Sequence, residues 1–540
     1  MEENVGSTTP TSDNRKDEPA DFEHAMNATG FGLFHLVLLI VGIFAACAAV
    51  FETTTMSYIL PIAECDLKMT LFDKGILNGA TYAGMITSAV IWGYLADTVG
   101  RRKVLIYGYL IDAVCVLCSS LTQNFEMLVA FKFLGGFIVN GPGAVLLTYL
   151  TEMHGSEHRP RVLMVYGMVM SLATLIMPLL AWGIFPRDWK FVLFNYLIIH
   201  PWQIFLAVCS IPSVIGGLGL IALPESPKFL MSQGRNAEAL LAFQKIYAVN
   251  NRTSMSAYPI KELVEEVPNR TSNVNEHVFT IENKPIKPKY KREPRTFSQA
   301  FKEGIEQIKP MFRKPLLGHS LHAYAMQFFI LLGLNTIRLW LPQLFASIAE
   351  YEALDGADSG SANLCAILEY SVNRTSLISD FQDSCAQLPK VSIDLYTNNI
   401  IVALVGLVAY SFAGIIVRAV GAKRLLIYGL LISGVLGIAL YWSVNGLSTL
   451  IISSVFLAVS AVSTSSLLGV VLSLFPTSLR SLVVAIAMMF GRLGALSGNM
   501  LFPVFMEMGC IQPFLMVGGV LLAAGALACI LPNSDEITLK

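Results

Sequence analysis

The sequence predicts an all-α membrane protein whose twelve transmembrane helices form two six-helix bundles. Three observations carry this expectation. Hydrophobic residues make up 54% of the 540 residues and charged residues only 14%, too apolar for a soluble chain of this size. Apolar runs long enough to cross a bilayer recur along the chain. A long polar segment near the middle separates six of these runs from six more, the pattern of two bundled halves.

Residues 1–32 read as a cytosolic tail. No basic stretch precedes a short apolar segment there, so no cleavable signal peptide is expected. Phe22, Ala25 and Met26 fall at helical spacing, which predicts a short interfacial leader helix. The first bundle occupies 33–223, with spans near Leu33–Leu60, Gly75–Ala96, Val104–Leu121, Met127–Leu150, Val162–Ile184 and Trp202–Leu223. Residues 224–314 form a polar linker. The second bundle occupies 315–531, with spans near Leu316–Leu344, Tyr396–Val417, Leu425–Ser443, Leu450–Leu472, Leu482–Met506 and Pro513–Leu531. A lumenal loop at 345–395 interrupts it, and 532–540 is a second cytosolic tail.

Lys and Arg set the orientation. Arg101, Arg102, Lys103, Arg159, Arg161, Arg418, Lys423, Arg424 and Arg480 fall on loops of one face, and the basic linker joins them. Glu64, Asp66, Asp73 and the stretch from Glu350 to Asp394 fall on the other. Both termini and the linker are therefore expected in the cytosol. The basic run Lys284–Arg295 is ordinary inside charge, or a contact for anionic lipid headgroups.

Composition also excludes functions. A net charge of -1 with no basic domain offers nothing to nucleic acid. The nine cysteines lie mostly inside apolar runs as small buried residues, and no metal-ligand spacing is present. Cys115 and Cys118 form a Cys-x-x-Cys only inside a span. No nucleotide-binding loop and no nucleophile–base arrangement is found. No enzyme activity, cofactor or metal is expected.

The stretch Gly93-Tyr94-Leu95-Ala96-Asp97-Thr98-Val99-Gly100-Arg101-Arg102-Lys103 organises the chain. Gly93 and Asp97 share a helix face. Gly93 would let another helix approach, and Asp97 could face the positive N-terminus of a neighbouring helix. Gly100 permits the tight turn. A plain basic loop would need less than this order of residues. The stretch resembles the signature loop between helices two and three of the major facilitator superfamily.

Other motifs narrow the resemblance. Tyr149-Leu150-Thr151-Glu152 followed by Arg159 is similar to a pattern of sugar porters and organic-ion transporters. Pro224-Glu225-Ser226-Pro227-Lys228-Phe229 resembles a motif those families share with the synaptic vesicle glycoprotein 2 family. Phe22-Glu23, Thr29-Gly30-Phe31-Gly32, Ala181-Trp182-Gly183, His200-Pro201-Trp202-Gln203 and Trp340-Leu341-Pro342 look like that branch. Ala49, Thr464 and Leu468 depart from it, so its ligands do not carry over. Leu105-Ile106-Tyr107-Gly108 and Leu426-Ile427-Tyr428-Gly429 form a weak internal repeat. In the second copy Arg418 replaces the acid, and Ser473 replaces another before Phe475-Pro476-Thr477.

The resemblance implies alternating-access transport of a small organic solute. Gly93, Asp97, Gly100, Arg101, Arg102, Glu152, Arg159, Glu225, Arg480 and Arg492 would form a cytoplasmic gate, with Glu152 pairing Arg102. Charged groups inside spans are costly and are functional candidates. Glu52 is the first, as the anchor of a proton or of a cationic solute. Asp112 stands equally well as a structural residue. Arg338 near the lumenal edge could snorkel. Tyr58, Asn335 and Trp340 join Glu52 on the expected pathway. Thr53, Thr54, Thr55, Gln327, Tyr82 and Phe328 could line it. The alternative is a transporter-like protein of the plasma or vesicle membrane with a binding or trafficking role and no flux. In the lumenal loop, Cys365 and Cys385 are expected to form a disulfide, Cys65 is left free, and Asn373-Arg374-Thr375 is a glycosylation sequon.

Overall fold

Local signals in the sequence place the helix boundaries. Asp21 accepts from the backbone N–H of His24 at 2.8 Å and opens α1 (Phe22–Ala28). After α2 (Leu33–Ala63), Thr70 and Asp73 form a reciprocal capping box at the start of α3 (Leu71–Thr98), satisfying two otherwise orphaned donors. Gly100 has φ +106° between α3 and α4 (Arg101–Ser120), and a Cβ there would lie 2.5 Å from a Glu225 oxygen. Gly421 has φ +88° at the matching turn of the second half, so the repeat extends to backbone conformation. Next come α5 (Phe125–Glu152) and α6 (Arg159–Ile184). A hairpin of β1 (Phe191–Leu193) and β2 (Leu197–Ile199) follows, which the sequence reading did not foresee. Pro212 ends the hydrogen-bond ladder of the sixth span. That span is split into α7 (Pro201–Cys209) and α8 (Ile211–Ile221).

The computed structural model describes residues 19–264 apart from 188, 190 and 194–196, then 302, 306, 309–313, 316–355, 364–369 and 393–531 apart from 476–478. Asn373, Cys385, the Lys284–Arg295 run and the tail 532–540 lie outside the described residues, as do the side chains of Arg418 and Ser473.

The linker contains α9 (Pro227–Ser232) and α10 (Asn236–Asn251). The apolar face of the leader helix α1 packs on them. Phe22, Ala25 and Met26 join Phe229, Leu230, Phe243 and Tyr258 in a small second core. Tyr258 donates to the Ala25 carbonyl at 2.6 Å, and Ala20 bridges Leu263. The three apolar residues of α1 thus find a protein partner for the face that the sequence assigned to lipid.

The second half comprises α11 (Leu316–Asp355), α12 (Ile393–Val420), α13 (Ala422–Ala439), α14 (Gly446–Leu474), α15 (Arg480–Met508) and α16 (Ile511–Ile530). Among the described residues, eleven segments are long and apolar enough to cross a membrane by length and composition, with α7 and α8 counted together. The 28-residue α3 takes the twelfth place. Its buried Lys74, Asn78, Thr81 and Ser88 lower its hydropathy. These residues face protein rather than lipid.

At the acidic end of the bundle the expected disulfide is corrected. Cys365 bonds to Cys510, in the turn between α15 and α16, and not to Cys385. Leu364 donates to the Ser443 carbonyl at 2.8 Å. This docks the segment 364–369 on the second bundle and brings Cys365 to Cys510. Cys65 is also disulfide-bonded, contrary to its expected free state. Non-reducing peptide mapping should therefore recover a Cys365–Cys510 linked peptide. A Cys510→Ser chain should leave Cys365 open to alkylation. A linked Cys365–Cys385 peptide would contradict the fold at this end.

Candidate functional site

Glu52 on α2 and Lys132 on α5 form an ion pair at 2.7 Å, both side chains almost fully buried at 2% and 1% exposure. Gly135, one turn on from Lys132, makes the room: a Cβ there would run into the Glu52 carboxylate. Two charges this deep in the bundle are tolerable because each neutralises the other. Glu52 thus points into the first half at Lys132, not toward an open path. Lys132 was missed in the sequence. It is the one basic residue of the Met127–Leu150 run, and the requirement that a buried carboxylate have a partner could have found it. Asp112 on α4 is buried nearby and accepts from the Ser213 hydroxyl of α8 at 2.6 Å. It lies within electrostatic reach of Glu52 and Lys132.

A second polar group sits between the halves. The Tyr82 hydroxyl on α3 donates to Asn335 Oδ1 on α11 at 3.2 Å and accepts from Arg338 Nη2 at 3.2 Å. Tyr58 on α2 lies within electrostatic reach of Arg338. Arg492 on α15 lies within reach of Tyr82. Arg492 shares a helix face with Leu496 and Met500, and both of those meet Gly79 of α3.

Several expectations are corrected here. Arg338 reaches across to Tyr82 instead of snorkelling. Arg492 belongs to this group, well inside the bundle, rather than to the gate, since it starts three turns into α15. Trp340 is 1% exposed and packs on Phe502 at 4.9 Å between ring centroids, inside the second half and off the pathway. The Thr53, Thr54 and Thr55 hydroxyls return to carbonyls of their own helix. Gln327 contacts Met488 in the second half.

At the basic end Arg101, Arg102, Glu152, Arg159 and Glu225 form a network among the first half, the linker and the leader helix. Glu225 accepts from the backbone N–H groups of Arg102 at 2.8 Å and Ser226 at 3.0 Å. The Arg102 side chain donates to the carbonyls of Ile221 at 2.6 Å and Leu220 at 3.4 Å. Glu152 therefore pairs not with Arg102 but with Arg101, at 3.6 Å, and accepts from Ser226 at 2.6 Å. Arg101 also reaches Asp97 at 3.5 Å and stacks over Phe229 at 4.7 Å. Arg159 donates to the Thr151 carbonyl at 3.1 Å and pairs with Glu23 of the leader helix at 2.6 Å. Arg480 donates to the Phe475 carbonyl at 3.0 Å, within its own half.

The two halves do not meet at this end along α3. The Asp97 side chain is 70% exposed, and a Cβ on Gly93 would touch nothing within 4 Å. At the acidic end α3 and α15 are in tight contact. A Cβ on Gly75 would lie 2.8 Å from the Asn499 carbonyl oxygen and from Pro503. The cleft between the halves is therefore closed on the acidic side of Tyr82 and open on the basic side. An apolar groove of 750 Å³ flanked by α3, α5 and α15 is lined by residues such as Ala83, Val129 and Phe133, with Glu126 as its one charged residue.

Comparison with known proteins agrees with this fold. Over 239 residues the chain is 29% identical to synaptic vesicle glycoprotein 2A of Rattus norvegicus, covering 44% of this chain and 32% of that one. Over 232 residues it is 30% identical to synaptic vesicle glycoprotein 2B of Rattus norvegicus, covering 43% and 34%. The chain thus spans about a third of the length of these curated relatives. In fold it is similar to the partially occluded inward-open xylose transporter XylE from E. coli, with a TM-score of 0.60, 16% identity and coverage of 93% of this chain and 100% of that one. It is equally similar to a D-xylose-proton symporter, with a TM-score of 0.62, 15% identity and coverage of 94% and 100%. The family description Major Facilitator Superfamily matches residues 41–369, more than half of the chain, and with twelve helices in two bundles around a one-sided cleft the chain belongs to the major facilitator superfamily.

Proposed function

We propose that this protein is a secondary transporter that carries a small organic solute by alternating access between its two halves. The observation that carries the reading is the one-sided cleft: α3 and α15 are locked at Gly75 and apart at Gly93, with polar groups of both halves meeting at Tyr82. Rocking one half on the other would close the basic end and open the acidic end around that fixed point. On the distribution of Lys and Arg, we read the basic end and both termini as facing the cytosol. The membrane is that of a vesicle or the cell surface.

Coupling to protons is assigned to Glu52 and Lys132. Protonating Glu52 would remove its attraction for Lys132, and α2 and α5 would then be free to shift relative to each other. The D-xylose-proton symporter of similar fold makes a proton the natural coupling ion. A cationic solute fits less well, because the Glu52 carboxylate is already occupied by Lys132.

The test is uptake into proteoliposomes containing the full chain. The double variant Glu52→Gln/Lys132→Met removes the coupling pair without stranding a charge. It should lose accumulation driven by a pH gradient while solute counterflow persists. Asp97→Asn should slow the cycle by about 2–5-fold, because closure at the basic end brings Asp97 to the α15 N-terminus, an interaction of roughly 0.3–1 kcal/mol. The absence of any solute flux from the unmodified chain would sink the reading in favour of a binding or trafficking role.

A further inference from the structure

The charges inside the bundle do not balance across the cleft. In the first half, Glu52 and Lys132 neutralise each other and Asp112 is held by Ser213. The second-half segments 316–344, 396–417, 422–439, 446–474, 480–506 and 511–530 contain no Asp or Glu at all. They do contain Arg338 and Arg492, and among the described residues neither makes an ion pair. Arg338 gives one N–H to Tyr82, while its Nε is buried with no hydrogen-bond partner. Arg338 bonds to Tyr82, and Arg492 lies within electrostatic reach of the same tyrosine.

A guanidinium far from bulk water is costly unless something compensates it. Among the described residues no carboxylate pairs with either arginine, so an anion entering the cleft would find uncompensated donors there. A planar guanidinium presents paired donors that match the two oxygens of a carboxylate. Tyr82 and Asn335 supply neutral hydrogen-bonding groups beside Arg338, and Tyr58 lies within its electrostatic reach.

We infer that the transported solute is a small organic anion, held through its carboxylate or an equivalent oxyanion group by Arg338 and Arg492 beside Tyr82. This rests on the transport reading for the word transported, but not for the site, which binds whether or not flux follows. The anion would replace the missing acids of the second half. Its entry would draw α11 and α15, which carry the arginines, toward α2 and α3, which carry Tyr58 and Tyr82. Binding and closure would then be one event.

The experiment measures thermal unfolding of the purified full chain in detergent against matched triplets. Each triplet shares one carbon skeleton carrying a carboxylate, an amide or an amine: succinate-type for aliphatic skeletons and benzoate-type for aromatic ones. Phenyl phosphate and benzenesulfonate separate the oxyanion classes. An anionic member should raise the unfolding midpoint while its amide and amine do not. Arg492→Gln and Arg338→Gln should each weaken that binding by roughly tenfold or more, as expected for a lost charge-assisted pair. Arg492→Lys, which keeps the charge but not the fork, should fall between and guards against a folding defect. Stabilisation by no anion, equal stabilisation by the amides or amines, or an undiminished effect in both Gln variants would overturn the inference. Anion binding without flux in proteoliposomes would leave the site standing and sink the transport reading. Flux of an amine or amide that ignores Arg492→Gln would do the reverse.

Discussion

Lys132→Met is expected to destabilise the protein by about 3–5 kcal/mol, because it strands the Glu52 carboxylate in the bundle without its partner. The two groups lie 2.7 Å apart and almost fully buried. Asp112, already within reach of Glu52, adds a second acid to a site that would then hold no cation. Glu52→Gln alone should cost a comparable amount by stranding the ammonium. The double variant Glu52→Gln/Lys132→Met should recover most of the loss, since replacing a buried ion pair by neutral groups of similar size is often neutral or better. Thermal unfolding of the four proteins in detergent, followed as loss of monodisperse species, reads out this cycle. Additive losses in the double variant would mean that the two residues do not form the pair.

The architecture was legible because membrane solvation leaves so few choices. Long apolar runs must be helices, and the Gly93–Lys103 and Pro224–Phe229 motifs are specific enough to name the family. The turn at Gly100 was expected from the motif, and its counterpart at Gly421 emerged with the structure. Pairing was less legible, because it depends on which face of a helix meets which neighbour. Lys132 lies 80 positions from Glu52, and no local pattern joins them. Arg492 and Arg480 both read as residues of the basic end. The length of α15 puts Arg492 about three turns in, within electrostatic reach of Tyr82, and Arg480 at its start. Trp340 shares α11 with Asn335 and Arg338 but faces Phe502, so sequence proximity overstated its role. Cys365 found Cys510 because folding docks 364–369 on the second bundle; proximity in sequence pointed to Cys385 instead. The motif residues expected at the gate come together at the basic end, but Glu152 pairs with Arg101 and not with Arg102.

Gly136→Val should prevent accumulation of a folded, monodisperse protein, and Gly136→Ala should already lower stability by at least the usual 1–3 kcal/mol, roughly, of an overpacked core. A Cβ on Gly136 would run into the Thr81 carbonyl oxygen on α3, with the Thr81 carbonyl carbon at 2.7 Å. Reciprocally, a Cβ on Gly84 of α3 would run into the Phe133 carbonyl oxygen, with the Phe137 nitrogen at 2.7 Å. The obstacle in each case is backbone, which cannot swing away as a side chain tip can. In lipid, where apolar side chains gain little by leaving the solvent, such close backbone approach supplies much of the attraction between helices. Separating α3 from α5 at this level would also displace Tyr82, the residue next to Thr81, and with it the link to Asn335 and Arg338. Gly136→Ala should therefore weaken solute binding as well as stability. Gly183→Ala on α6 is the control, because its Cβ would touch nothing within 4 Å, and in a helix it should be neutral or stabilising by up to about 1 kcal/mol. If Gly136→Ala unfolded at the same temperature as the unmodified chain, α3 and α5 could not cross as closely as this structure has them.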